Sequence, residues 1–525
     1  MSAHEEAMLD IAGLSVRFPA GPVLQEVDLQ LRAGRCLAIV GESGAGKSVL
    51  ARTVVGLAGE GGAPARVAAE RLDVAGRDMR GASRRRWRSL RGRQVGFVLQ
   101  DALGSLDPLR TVAAEVGETL RLQGVGPRRR NEAVLAALAQ AGLDEPALRA
   151  AQRPGELSGG MRQRVLIASA IISGAPLLVA DEPTTALDAT IARGVLDLLA
   201  RLRDEGKSVL FVTHDLAAVA RIADDVVVLD QGRVVERGTV SEVLDHPQHP
   251  RTRELLAAVP QGGRPDGAPS VWGEPVLQAQ DLYRHYHLPG GGRMTAVEGV
   301  DLSLHRGQAL GLVGTSGSGK STLARLLVAA ERPDRGRVLL HGQDWSSLSE
   351  RRRRPLRHHV RLVPQDPLSS FDPRWNGERI LRAAARTAGT QQTPAELAEL
   401  VHLPAKLLQR NPRSLSGGQR QRLAIARALA AAPSVLILDE PVSALDVTVQ
   451  AAILDLLVEL QQRTETAMVL ISHDLAVIRR VCHTVAVMSR HRIVEHGRVE
   501  DVWAEPAHPV TRELLELPSS SSRRT

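Results

Sequence analysis

Two pairs of adjacent carboxylates, Asp181-Glu182 and Asp439-Glu440, each follow a short apolar run, Leu177 to Ala180 and Val435 to Leu438. Runs of that length read as buried strands. Acids at the C-terminal edge of such a strand lie where α/β sheets place their ligands. Two neighbouring carboxylates can divide the work of phosphoryl transfer. Asp181 and Asp439 would hold Mg2+, while Glu182 and Glu440 position or deprotonate the attacking water. Upstream of each pair stands Ser158-Gly159-Gly160 or Ser416-Gly417-Gly418, leaving backbone bare where a helix begins. The free N–H groups of a helix start form an anion site.

These groups need phosphates, and the chain offers two loops for them. GESGAGKS supplies Gly41, Ser43, Gly44, Gly46, Lys47 and Ser48; GTSGSGKS supplies Gly314, Ser316, Gly317, Gly319, Lys320 and Ser321. In this GxxxxGK[ST] pattern the backbone cradles phosphates, the lysine reaches the β/γ oxygens and the Ser48 or Ser321 hydroxyl binds Mg2+. Only four lysines occur in the chain, and two of them stand here. A compact ammonium suits a point deep among phosphates better than a planar guanidinium. Gln100 closes the run Val95 to Leu99, and Gln365 follows Arg361 to Pro364. An amide there faces the metal and can sense the γ-phosphate. His214 and His473 end or closely follow the apolar runs Val209 to Val212 and Met468 to Ile471, a placement that favours a γ-phosphate contact.

Stepping from loop to loop, every motif occurs twice in the same order, so the chain is a duplicated domain. Within each copy, alternation up to Phe18 and through VLQEVDLQL predicts a hairpin, and Leu37 to Val40 a buried strand feeding the phosphate loop. Residues 101–154 and 366–412, rich in Ala, Leu and Arg, predict a separate helical subdomain. The fold class is thus α/β, in two tandem P-loop domains. The first occupies residues 1–260, its end (from His246) a short docked helix after a proline-bound turn. Residues 261–275 form a Gly/Pro-rich linker with the boundary near Gly267, residues 276–518 the second domain, and 519–525 a disordered tail.

At 525 residues the chain is long enough for two cores, and no apolar run approaches a membrane span. MSAHEEAMLD lacks the hydrophobic stretch of a secretion signal. Two cysteines, Cys36 and Cys482, form no disulfide framework, consistent with a reducing cytoplasm. The net charge of +8 includes the runs Arg84 to Arg86, Arg128 to Arg130 and Arg351 to Arg354. With aromatics at 2%, these read as solvated faces, or as contacts for anionic lipid or partner proteins before nucleic acid.

Across nearly its whole length the sequence resembles the ATP-binding subunits of ABC transporters. LSGGMRQRV with ADEPTTALD resembles one ATPase of the peptide/nickel importer family, and LSGGQRQRL with LDEPVSALD its partner. HPQHPRTRELL and AHPVTRELL are similar to that family's C-terminal oligopeptide-type motif. The resemblance implies both ATPases fused in one chain, each with a RecA-like core, an antiparallel β subdomain and a helical subdomain. It implies ATP and Mg2+ as ligands, and Phe18 and Tyr286 as aromatics stacking on adenine. It also implies head-to-tail sites: Lys47, Ser48, Gln100, Asp181, Glu182 and His214 with Ser416, Gly417 and Gly418; and Lys320, Ser321, Gln365, Asp439, Glu440 and His473 with Ser158, Gly159 and Gly160. Its partners would be two membrane permease subunits and an extracytoplasmic solute-binding protein, the chain sitting peripherally on the cytoplasmic face of the inner membrane. No nucleic acid is expected. Peptides lead as cargo, ahead of glutathione, nickel complexes, opines or other small solutes.

The sequence departs from that pattern at Arg251 and Val510, where the family has tyrosine, and at Ala102, where it has proline. Its two distant cysteines exclude the iron–sulfur cluster of some members. The alternative, a tandem ATPase acting on ribosomes, carries a long charged linker and NHLD, whereas both copies here read ALD at Leu187-Asp188 and Leu445-Asp446.

Overall fold

The computed structural model describes residues 7–60, 62–99, 105–184, 187, 189–259, 262–264, 272–287, 292–315, 317–443 and 445–516. The chain divides into two compact units, Met1–Leu187 with Ile191–Ala258, and Asp188–Thr190 with Val259–Thr525. Among the described residues, no helix is long and apolar enough to cross a membrane.

In the first unit a six-stranded sheet runs in the order Arg233–Thr239, Asp225–Asp230, Cys36–Val40, Ser208–Val212, Leu177–Asp181, Val95–Val98. Only the first pair is antiparallel; the remainder pair in parallel. Cys36–Val40, Leu177–Asp181 and Ser208–Val212 are buried at every residue, as a parallel sheet covered on both faces demands. The predicted hairpin is Ala7–Phe18 against Gly21–Arg32, in a smaller antiparallel sheet completed by Arg66–Ala68, Arg71–Val74 and Arg77–Asp78. Leu9 and Ile11, and beyond a register shift Leu14 and Val16, face the core and are at most 2% exposed.

The second unit repeats the arrangement. Val360–Val363, Val435–Asp439, Ala467–Ile471, Ala309–Gly314, Thr484–Ser489 and Arg492–Arg498 form its main sheet; Arg293–His305, Pro275–His287, Arg335–Leu340 and Gln343–Asp344 form the smaller one. Helices Val112–Val116, Glu118–Leu122, Pro127–Gln140 and Pro146–Ala151 occupy the predicted helical segment of the first copy, and Gly377–Ala388 and Pro394–Leu400 that of the second.

The arginine run at Arg351–Arg354 is not wholly solvated. Arg353 is 5% exposed, its guanidinium donating to the carbonyls of Ala329 (2.9 Å) and Ser346 (3.0 Å) beside the Trp345 ring. Carbonyl acceptors and an aromatic face make that burial affordable. The predicted tail, 519–525, and Gly267 lie outside the described residues.

Candidate active sites

Each phosphate loop joins the C-terminal end of a central strand to a helix, Lys47–Val54 or Lys320–Leu327. Gly41 and Gly314 have φ of 152° and 151°, and a β-carbon on either would stand 2.1 Å from the carbonyl oxygen of Leu229 or Met488. The neighbouring strand therefore passes too close for any side chain, and the loop wraps tightly over it. Inside the loop the Lys47 ammonium donates to the carbonyls of Gly41 (2.7 Å) and Glu42 (2.9 Å), and Lys320 donates to Gly314 (2.7 Å) and Thr315 (2.9 Å). Ser43, Gly44, Gly46, Gly317 and Gly319 lie along these loops; Ser316 lies outside the described residues.

Asp181 ends its strand fully buried, with Oδ1 accepting from the Ser48 hydroxyl at 2.9 Å and Oδ2 buried without a hydrogen-bond partner. Burial raises its pKa, opposed by the Ser48 hydrogen bond and aided by the Glu182 charge. Asp439 is raised likewise, by burial first and Glu440 second, against Ser321 and the cations of Arg325 and Lys320. A hydroxyl beside a buried carboxylate with an uncommitted oxygen is a donor set suited to a hard divalent cation.

Glu182 and Glu440 follow with φ of 47° and 46°, a left-handed backbone that glutamate rarely adopts. Each N–H donates to the adjacent strand, to Val212 at 2.8 Å and Ile471 at 3.0 Å. The kink turns both carboxylates toward the histidines: Glu182 Oε1 lies 3.4 Å from His214 Nδ1, and Glu440 Oε1 lies 3.3 Å from His473 Nδ1. Gln365 donates its amide N–H to Glu440 Oε2 at 2.9 Å. Burial pushes the His473 pKa down, but hydrogen bonding and charge from Glu440 outweigh it and the net shift is upward; His214 behaves the same way beside Glu182. Burial conversely pushes Glu440 up, and His473 brings it below the ordinary value. The structure thus gathers phosphate-loop lysine, serine, aspartate, glutamate and histidine in each unit, with Gln365 joining in the second. Gln100 lies outside the described residues.

The signature segments open helices Gly159–Ile171 and Gly417–Leu429. Ser158 caps the first through its hydroxyl, accepting from Met161 N at 3.3 Å. Ser416 does the same for Gln419 N at 3.4 Å, and Gln419 Oε1 accepts from Ser416 N at 3.1 Å, a reciprocal box that Met161 cannot form. Gly159 has open space around its α-carbon, and Gly417 has Leu445 nearby. Gly160 and Gly418 are different: an added β-carbon would stand 2.3 Å from Ile191 Cγ2 or Val449 Cγ1. These two glycines let their helix pack on its neighbour.

The aromatics expected at adenine lie on strands of the smaller sheets, Phe18 ending Ala7–Phe18 and Tyr286 within Pro275–His287. Phe18 is half-buried against the core of the first unit. The Tyr286 hydroxyl donates to Glu331 Oε2 at 2.7 Å, with the Arg284 guanidinium 5.0 Å from its ring centre.

One pair of residues escaped the sequence reading. Glu236 accepts from Gln248 N (2.7 Å) and His249 N (3.1 Å), and Glu495 from Ala507 N (2.8 Å) and His508 N (3.0 Å). They fasten the turns that precede helices Pro250–Ala257 and Pro509–Glu516, where His249 and His508 accept the next free N–H through Nδ1. The recurrence of VVERG as IVEHG was the available signal. Arg251, standing in place of tyrosine, pairs with Glu254 at 2.7 Å and approaches Asp230 at 3.5 Å.

Two copies of one fold, each with a P-loop, strand-end DE pair and signature helix, match the ABC transporter family over residues 24–185 and 297–443. This chain belongs to that family. An ABC ATPase binds and hydrolyses ATP, and this chain carries two such domains. Residues 235–282 also match the C-terminal region of oligopeptide/dipeptide transporters, the segment fastened by Glu236. The ABC protein is 39% identical to the peptidoglycan transport ATP-binding protein YejF of Agrobacterium fabrum, covering 98% of this chain and 96% of that one. It is 40% identical to the glutathione import ATP-binding protein GsiA of Escherichia coli K12, covering 94% and 86%. Among solved structures, the archaeal ribosome recycling factor aABCE1, in complex with ribosomal stalk protein aP1, has a TM-score of 0.62 at 21% identity, covering 95% of this chain and 92% of that one. At that identity the likeness is one of fold alone.

Proposed function

We propose that this chain is the fused ATPase of a solute importer, spending ATP to take up peptides or small peptide-bearing solutes through separate membrane permease subunits supplied by an extracytoplasmic binding protein. The observation that carries this is the near-full-length similarity to relatives named for glutathione import and peptidoglycan transport, together with the oligopeptide/dipeptide C-terminal region. With no spanning helix among its described residues, the chain works peripherally at the inner face of the inner membrane. Its domains are residues 1–260 and 276–518, joined by 261–275.

The site residues take these roles in the proposal. Mg2+ would be held by Ser48 and Asp181, and by Ser321 and Asp439, with Gln100 and Gln365 beside it; it would neutralise charge on the β- and γ-phosphates. The uncommitted Asp181 Oδ2 supports that fit. Lys47 and Lys320 exchange a loop carbonyl for phosphate oxygen. Glu182 and Glu440 accept the proton of the attacking water, and His214 and His473 hold those carboxylates in line and touch the γ-phosphate. Ser158, Gly159 and Gly160, and Ser416, Gly417 and Gly418, contact nucleotide through the bared N–H groups at the starts of their helices, and ATP binding and hydrolysis bias a two-state switch. Phe18 and Tyr286 stack on adenine.

Purification of the tagged chain from membranes tests the reading. Co-purifying permease subunits, with ATPase activity stimulated by a peptide-loaded binding protein, are expected. Co-sedimentation with ribosomes and never with membranes would overturn it.

A further inference from the structure

The two copies differ at one helix end, and the difference runs through the segment that joins them. In the first unit, Arg203 sits on helix Ala189–Asp204 and donates through Nη1 to the carbonyl of Ile222 at 2.7 Å. Ile222 is the last residue of helix Leu216–Ile222, the helix that follows His214. A C-terminal carbonyl has no partner within its own helix, and a cation there is favoured by the helix dipole. Asp224, 3.9 Å from the same guanidinium, accepts from Cys36 N at 2.7 Å and ties the corner to the central strand.

Counted from Asp188 and Asp446, the position of Arg203 is Gln461 in the second copy; counted from His214 and His473, Ile222 is Val481 and Asp224 is His483. The second copy has therefore lost its arginine. Gln461 turns its amide N–H to the carbonyl of Gly307, and Val481 needs another donor. The donor comes from the joining segment. Arg264 is 9% exposed, and its Nη1 donates to the carbonyl of Val481 at 2.6 Å while Nη2 donates to Gln461 Oε1. Two further contacts fit the segment to this place. Gly263 lies so close to helix Val499–Ala504 that a β-carbon would stand 2.4 Å from Glu500 Oε1. Trp272 meets the His483 ring edge-on at 5.3 Å, and His483 Nδ1 accepts from Ala309 N at 3.0 Å, as Asp224 does from Cys36.

We infer that the joining segment is a working part of the second ATPase unit: Arg264 supplies, from ahead of that unit's first strand, the guanidinium that Arg203 supplies from a helix of the first. It seals the far end of helix Leu475–Val481, whose near end, capped by Asp474, carries the switch His473. At Arg264 the segment is strapped to that helix.

Hydrogen exchange on the full-length chain tests this with three proteins: native, Arg264→Ala, and Arg264→Ala with Gln461→Arg. The amides of Cys482 and His483, bonded to Ile478 and Ala309, report the sealed corner. They are expected to exchange at least about tenfold faster in Arg264→Ala. Adding Gln461→Arg rebuilds the first copy's arrangement and is expected to return them to within about threefold of native, while the Gly262–Gly263 amides stay fast because the strap is still loose. Exchange at Cys482 and His483 within twofold of native in Arg264→Ala, or no recovery in the double variant, would overturn the inference. Should Arg264→Ala fail to fold, recovery of a folded chain by Gln461→Arg supports it, and failure of that rescue refutes it.

Discussion

Replacing both strand-end glutamates by glutamine is the perturbation on which the catalytic reading stands most directly. In the second unit Glu440 offers Oε2 to Gln365 at 2.9 Å and Oε1 toward His473 at 3.3 Å. A glutamine at 440 fills the same volume, keeps a carbonyl for the Gln365 amide and presents N–H to His473, whose Nδ1 then accepts. The pocket should keep its shape. What is lost is a base: a positioned proton acceptor contributes roughly 10²–10⁴-fold to rate. At about 1.4 kcal/mol per decade, that is about 2.8–5.6 kcal/mol of barrier. The Glu182→Gln, Glu440→Gln double variant is therefore expected to hydrolyse ATP at least about 100-fold more slowly in single-turnover assays. Its affinity for ATP, read by fluorescent-nucleotide titration, should stay within about threefold of native. Turnover within tenfold of the native protein would refute the assignment of these carboxylates.

The His473–Glu440 pair also sets a pH window. His473 is raised above 6.5, so its contribution to stability is complete below that pH and is lost as pH rises through the folded value; Glu440 is lowered beneath 4.5, so its contribution is lost as pH falls through its own. The melting-temperature difference between native protein and His473→Gln should narrow as pH climbs above 6.5; a constant difference would refute the pairing. Gly160→Ala and Gly418→Ala force a β-carbon to within 2.3 Å of Ile191 or Val449. Each should cost about 1–3 kcal/mol in denaturant unfolding, with partial rescue by Ile191→Ala or Val449→Ala. Glu236→Ala leaves two backbone N–H groups of the Gln248–His249 turn without an acceptor, and about 1–3 kcal/mol of local stability should go with them, read as proteolytic cleavage at Arg251 or Arg253.

The sheet strands were legible because period and length rarely mislead when a strand is buried on both faces: Leu37 to Val40, Leu177 to Ala180 and Val209 to Val212 all lie in observed strands extended by one residue. The phosphate loops, acids and histidines were legible because spacing fixed them to strand ends and duplication removed coincidence. Other features were hidden for definite reasons. Nothing in a glutamate's type announces φ near +47°, which is imposed by the hydrogen bond to the neighbouring strand. Gly160 reads as exposed backbone in a signature, whereas its partner, Ile191, is distant in sequence. Arg264 hid inside a Gly/Pro-rich stretch that pattern alone reports as a spacer. Comparing the copies position by position, and asking which cation each lacks, is the signal that finds it.

The left-handed turn at Glu182 and Glu440 has a cost that outlasts any single turnover. An L-residue held there gives up roughly 1–2 kcal/mol that glycine would not. Every folded copy therefore carries a small permanent handicap at each reaction centre, kept only while the carboxylate is useful. A descendant relieved of hydrolysis would gain robustness by drifting to glycine or asparagine at these positions. An inactive relative of this chain should accordingly melt later than the working machine.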